Sequence, residues 1–209
     1  MRDTVFIFDF DGTIADTLQY VLEISNRLAD EFGYKTIHES EVEGLKGKRA
    51  KDVLRHVGIP HVKIPAILKR ARSEFRYGIE ALEPIAGLRE VLHKLRAQNL
   101  RMGILSSNSV KNIEAFLGYH ELEVFDFVHS SSRLWGKNVA LKKMMSEKQL
   151  DADKMLYIGD EVRDIVAAQK AGIRSAAVTW GYNTRDVLSV DEPDYLLSHP
   201  DELLSLPLA

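Results

Sequence analysis

The chain has 209 residues, 45% hydrophobic and 28% charged, with a formal net charge of −3 and no cysteine. A chain near this length buries roughly 70% of its unfolded surface, so its core needs no staple. The missing cysteines exclude disulfides, thiolate metal sites and cysteine nucleophiles. The small negative charge argues against a non-specific nucleic-acid binder, and no apolar run approaches the roughly 20 residues that span a bilayer. No nucleic-acid or membrane partner is therefore expected. The N-terminus "MRDTVFIFDFDG" has its apolar run broken by two acids and does not read as a signal peptide, which leaves a cytoplasmic location as the default.

The first element, "VFIFD" (5–9), is a short apolar run of the kind buried in a parallel sheet, and it leads directly into "DFDGT" (9–13). Residues 16–82 hold no strand pattern. "DTLQYVLEISNRLADEFGY" places Leu18, Val21, Leu22, Ile24, Leu28 and Phe32 mostly on one helical side. "SEVEGLKG", "RAKDVLRHVG" and "IPAILKRARSEFRYGIEAL" follow as further helices, punctuated by glycines and Pro60. An insert this long is too large for a crossover. It predicts an all-helical cap domain over 16–82, with 1–15 and 83–209 forming the main domain. The insert's basic run Lys46, Lys48, Arg49 and Lys51 is either a solvated face or a reach toward a second anionic group on a substrate, with Lys46 and Arg49 the candidates. Phe75 and Tyr77 are expected in the core.

After Pro84 and Gly87, the runs "RMGILS" (101–106), "KMLYIGD" (154–160) and "SAAVTW" (175–180) read as strands, with "VFDFVH" (124–129) and "DYLL" (194–197) as weaker ones. Amphipathic helical patterns at 87–98, 109–118, 137–149 and 161–171 alternate with them. This rhythm predicts an α/β fold, a doubly wound and mostly parallel sheet with helices on both faces.

Open parallel sheets bind ligands at the carboxyl ends of their strands. Asp9 and Asp11 lie at one such end, Ser106, Ser107 and Asn108 at another, and Asp160, Glu161 and Asp164 at a third, while Lys137 heads a helix. Crowded carboxylates need a compensating cation. Asp9, Asp11 and Asp160 have no histidine or cysteine near them and make a hard oxygen set suited to Mg2+, which commonly bridges carboxylates to phosphate oxygens. Asp9 is then placed to attack phosphorus. Asp11, on the same side of an extended segment, is placed to protonate a leaving oxygen. Gly12 lets the turn through Thr13 present N–H groups to an anion. Each feature also has a plainer reading when taken singly. Asp9 and Asp11 make a polar strand end with Asp16 capping the next helix, Asp160 and Asp164 are acids at a helix start, Ser106 is a turn residue, and Lys137 is solvated. Trp135 and Trp180 read as packing or wall residues.

"DFDGT" (9–13), "ILSSN" (104–108), "GK" (136–137) and "IGDEVRD" (158–164) resemble the four ordered motifs of the haloacid dehalogenase-like superfamily. The layout resembles its phosphoglycolate phosphatase-like branch, and "AAQKAGI" (167–173) and "TWGYN" (179–183) extend the likeness over nearly the whole chain. The resemblance implies a Mg2+-dependent phosphatase of a small phosphate ester, phosphoglycolate-like or a sugar phosphate. It implies an aspartyl-phosphate on Asp9, with Asp11 as general acid and then general base. Ser106 would bond the phosphoryl group, Lys137 would offset its charge, and Gly12, Thr13, Ser107 and Asn108 would lie at the substrate. The metal would take Asp9, the backbone carbonyl of Asp11, and Asp160, with Asp164 as ligand or support. Asn138 follows Lys137 where the branch usually has proline, which leaves Lys142 and Lys143 as fallback cations. The presence of Asp11 favours phosphate chemistry over carbon–halogen cleavage. A phosphosugar mutase of the same superfamily is the alternative enzyme. A non-catalytic phosphoacceptor or binding module fits less well, because receiver modules are shorter, carry the acceptor on a later strand and lack a lid.

Overall fold

The computed structural model describes residues 4–131 and 136–207. Six strands form one sheet in the order β3-β2-β1-β4-β5-β6, and every neighbouring pair is parallel. They are β1 (Val5–Phe8), β2 (Arg101–Ser106), β3 (Phe127–Ser130), β4 (Met155–Gly159), β5 (Arg174–Val178) and β6 (Tyr195–Leu197). Between β1 and β2 lie α1 (Leu18–Phe32), α2 (Glu39–Lys46), α3 (Ala50–His56), α4 (Ile64–Phe75) and α5 (Leu88–Ala97). The remaining crossovers carry α6 (Val110–Tyr119), α7 (Lys137–Lys148), α8 (Val162–Ala171) and the short α9 (Arg185–Ser189). This is the doubly wound α/β fold that the alternating pattern predicts. No helix among the described residues is long and apolar enough to cross a membrane.

The central strand is buried along its whole length because helices cover both faces. Its side chains alternate between the two cores. Phe6, Phe8 and, beyond the strand, Phe10 join the larger cluster with Leu88, Leu92 and Phe116. Val5 and Ile7 join the smaller cluster with Leu141, Met144 and Ala168. By the same period of two, Asp9 continues the Val5–Ile7 side and faces α7. Full burial of a phenylalanine ring stabilises by roughly 1.5–3 kcal/mol, so three such rings hold the acid-bearing turn in register.

β3 begins at Phe127 rather than at Val124. The chain is pinned one residue earlier: the Asp126 N–H donates to Met102 O at 2.7 Å, and the Asp126 carboxylate accepts from the Met102 N–H at 2.8 Å. The ladder therefore starts with Gly103 opposite Phe127. Tyr77 is 83% exposed rather than in the core, because α4 ends at Phe75 and its apolar stripe goes no further. Asp16 is exposed, and the position before α1 belongs to Thr17, whose hydroxyl meets the Tyr182 hydroxyl at 2.7 Å instead of capping the helix.

Helices α1–α4 form an insert without strands, and α1 and α4 put Ile24, Leu28 and Phe75 into the same cluster as Phe8 and Phe10. Two polar clasps fasten the insert to the strand ends. In the first, Arg72 donates from Nε to Ser107 O at 2.6 Å and from Nη2 to Ser131 O at 3.1 Å, while Asn112 Nδ2 donates to Arg72 O at 3.1 Å. In the second, Asn183 Nδ2 donates to Lys46 O and Lys48 O, both at 3.0 Å. Hydrogen bonds from a charged donor contribute about 1.5–3 kcal/mol each, and about 1.4 kcal/mol is tenfold in an equilibrium. Arg72→Ala is therefore expected to speed amide hydrogen exchange across α4 at least tenfold, with the amides of β1 and β4 unmoved. Unchanged exchange in α4 would show that the clasp does not hold the insert.

Candidate active site

The chain runs from β1 to β2 and β3 on one side and returns to β4, β5 and β6 on the other, which makes the β1–β4 crevice the topological switch point. Phe8 pairs with Ile158, and the Asp9 N–H donates to Ile158 O at 2.8 Å. Asp9 and Asp160 therefore leave adjacent strands at nearly the same height. Asp164 joins them from the first turn of α8. Each of the three offers an oxygen within 4.8 Å of the others, and all three side chains are buried.

Every carboxylate in this group is held by named donors. Asp9 Oδ1 accepts from the Phe10 N–H at 2.8 Å, and Oδ2 accepts from Lys137 Nζ. Lys137 is the first residue of α7 and also donates to Asp164 Oδ1. Asp164 Oδ2 accepts from the Glu161 N–H at 3.0 Å and closes a capping box at the start of α8. Asp160 accepts from Thr13 Oγ1 at 2.7 Å and from the Tyr182 N–H at 2.8 Å. Gly12 and Gly181 make room for it. A Cβ on Gly181 would lie 2.4 Å from Asp160 Cβ, and one on Gly12 would lie 2.3 Å from Asp160 Oδ2, at a φ of +74° that side chains rarely adopt.

Burial and the charges of Glu161, Asp164 and Asp9 push Asp160 well above the usual carboxylate range. Burial lifts Asp164 to about 6 against the pull of Lys137. Burial likewise works against the Lys137 charge, but Asp164 and Asp9 together hold its pKa well above that of a free lysine. Asp9 and Asp164 share the Lys137 ammonium with Asp160 grouped beside them, which leaves an excess of negative charge in a site of oxygen donors. That chemistry fits a hard divalent cation.

Asp11 stands beside this group, on the wall of a cavity under the helical insert. Asn108 Nδ2 donates to Asp11 Oδ1 at 3.2 Å, and the amide is oriented by Asn112 Nδ2, which donates to Asn108 Oδ1 at 2.9 Å. Burial and the neighbouring Asp9 charge raise Asp11 to about 7. Ser106 is buried at the end of β2, and its Oγ accepts from the Asn108 N–H at 3.1 Å.

A family model of haloacid dehalogenase-like hydrolases matches residues 6–178. The chain belongs to the haloacid dehalogenase-like hydrolase family. This hydrolase is 37% identical over 199 residues to the phosphoglycolate phosphatase of Synechococcus elongatus, covering 95% of the chain and 94% of that protein. It is 24% identical over 212 residues to the pyrophosphatase PpaX of Bacillus cereus, covering 99% of the chain and 97% of the relative. Among solved structures it is similar to a haloacid dehalogenase-like family hydrolase from Streptococcus pneumoniae, with a TM-score of 0.80 and 21% identity over 98% of both chains, a likeness of fold.

The hydrolase brings together Asp9, Asp11, Ser106, Asn108, Lys137, Asp160 and Asp164. Lys137 lies in the site although Asn138 replaces the usual proline, and the fallback residues Lys142 and Lys143 are exposed. Thr13, expected at the substrate, gives its hydroxyl to Asp160 and its N–H to Phe10 O at 3.3 Å. Arg49, the other candidate of the insert, takes its partner outside the cavity. It pairs with Asp191 at 2.6 Å and is absent from the cavity wall, since a partly buried carboxylate on the facing surface captures it. Lys46 does line the cavity, with Glu43 at 3.5 Å, and Ser107 lines it too. Trp180 donates from Nε1 to Thr13 O at 3.2 Å and so walls the acid turn. Trp135 lies outside the described residues.

Sequence reasoning missed Arg72, Tyr182, Asn183 and the pair formed by Arg163 and Glu161, in which Arg163 Nε donates at 2.8 Å. The arginine of "DEVRD" carried a signal, being a cation set among three acids. Arg72 carried none, because Lys69 and Arg70 share its helix and only the packing selects among them.

Proposed function

We propose that this phosphatase hydrolyses a small phosphorylated metabolite through a covalent aspartyl-phosphate on Asp9. The observation that carries the reading is the Asp9 carboxylate at the switch point, bonded to Lys137 and grouped with the Asp160 and Asp164 oxygens. An Asp9 oxygen forms a bond to phosphorus as the ester P–O bond breaks, and Asp11 gives its proton to the departing alcohol oxygen. A carboxyl with a pKa raised to about 7 is suited to both halves of that work. Asp11 then takes a proton from water as the water oxygen attacks phosphorus, which frees Asp9 and inorganic phosphate. Ser106 and the Asp11 N–H hold the phosphoryl oxygens, and Lys137 offsets their charge.

Mg2+ would be held by Asp9, the Asp11 backbone carbonyl and Asp160. Asp164, which accepts from Lys137 and from the Glu161 N–H, is a further ligand or a support of that set. When bound, the ion supplies positive charge to the phosphoryl oxygens. The insert acts as a cap that excludes water during the attack.

Phosphate release from phosphoglycolate, sugar phosphates, a nucleotide, pyrophosphate and an aryl phosphate tests this reading. Inorganic phosphate is expected in Mg2+, with a loss of about a hundredfold or more in excess chelator, since such ions contribute several kcal/mol to transition-state stabilisation. Undiminished release in chelator would overturn it. An isomerised sugar phosphate in place of free phosphate would assign the site to a mutase.

A further inference from the structure

The helical insert is hollow. A cavity of about 310 Å³ opens beside Asp11 and runs among α1–α4. Leu22, Leu45, Val53, Leu54, Leu68 and Phe75 form much of its wall. The opening explains why α3 has no buried residue even though Val53 and Leu54 turn inward. Apolar side chains that would normally interdigitate instead face one another across a gap, and protein interiors rarely leave such a gap unfilled. The volume falls at the small end of the range for small-molecule pockets, which are mostly apolar with a few placed polar groups. The cavity's polar lining includes Asp11, Asn108 and Arg72, together with Lys46, Lys48, Glu161 and Arg163.

We propose that this cavity receives an apolar group on the alcohol half of the phosphate ester, either an aryl ring or a branched alkyl group. The inference rests on reading Asp9 as the phosphorylated nucleophile. If phosphorus lies at Asp9 and the leaving oxygen at Asp11, the alcohol carbon projects past Asp11 into the space that Asp11 lines. An apolar cavity of about 150 Å³ accepts benzene, so this one takes a ring together with the short linker joining it to oxygen. A two-carbon acid such as glycolate would fill only a small part of it. Its carboxylate would find Arg72, Lys46, Lys48 or Arg163 on the wall, but most of the aliphatic wall would stay wet.

Benzyl phosphate, ethyl phosphate and phosphoglycolate, assayed in Mg2+, test the proposal with leaving groups of similar alkyl character in the first two. The benzyl ester is expected to exceed both others at least tenfold in kcat/KM, mainly through KM. Benzylphosphonate is expected to inhibit at least tenfold more tightly than methylphosphonate, since its ring is removed from water in the cavity. Ala71→Leu and Ala50→Leu, on separate walls of the cavity, are each expected to lower the benzyl-to-ethyl ratio about tenfold, with urea unfolding as the check on folding. Ethyl phosphate turnover without a benzyl preference, together with equal inhibition by the two phosphonates, would overturn the cavity's role and leave the Asp9 reading standing. Absence of phosphate release from every ester would overturn both.

Discussion

Asp9→Asn is expected to lower phosphate release by about four orders of magnitude or more, the scale seen when a covalent nucleophile is removed. Asparagine keeps the shape of the side chain and the oxygen that accepts the Phe10 N–H, so the turn after β1 has no reason to move. What it lacks is the negative oxygen that bonds to phosphorus. The variant also removes one charge from a buried group of three carboxylates, so urea unfolding is expected to show a folded protein. Acid-quenched enzyme should carry covalent phosphate in the wild type and none in Asp9→Asn. A variant retaining a tenth of the activity would exclude Asp9 as nucleophile.

Removing the ammonium beneath Asp9 should cost stability as well as rate. The Lys137 side chain is 2% exposed and bonds both Asp9 and Asp164. Taking away one partner of a buried ion pair leaves an uncompensated charge and costs about 3–5 kcal/mol. Lys137→Ala and Lys137→Met are therefore both expected to unfold at lower urea in excess chelator, by about that amount. The methionine variant separates charge from volume, since it refills most of the space. If methionine restored wild-type stability, packing and not charge would be the role of Lys137. Both variants should also lose about a hundredfold or more in kcat, the usual loss when one donor to developing negative charge is deleted.

The tertiary structure also decides where the insert's cations point. Lys46 and Arg49 are three residues apart in a basic run and read alike in sequence, yet one lines the cavity and the other is held by Asp191, 142 positions away. Thr13 follows the acid turn as a phosphate contact would, and the fold directs its hydroxyl to Asp160 instead. Tyr77 continued an apolar pattern that the helix itself did not continue. The cavity had no sequence mark at all. Its wall residues carry the same periodicity that a solid bundle would show, and periodicity reports which face is apolar without reporting how closely two faces approach.

What the chain determined by itself was local. Runs of β-branched and aromatic residues made strands, a period of two sent Asp9 to the side of Val5 and Ile7, and acids placed directly after strands marked one end of the sheet. These features depend on neighbours within a few residues, where backbone geometry sets side-chain direction. The meeting of Asp9 with Lys137, 128 residues later, and of Arg72 with two strand-end carbonyls, depended on strand order and helix packing. Those contacts form only after loop closure has brought distant segments together, so their partners are selected by the whole fold and not by any one stretch of sequence.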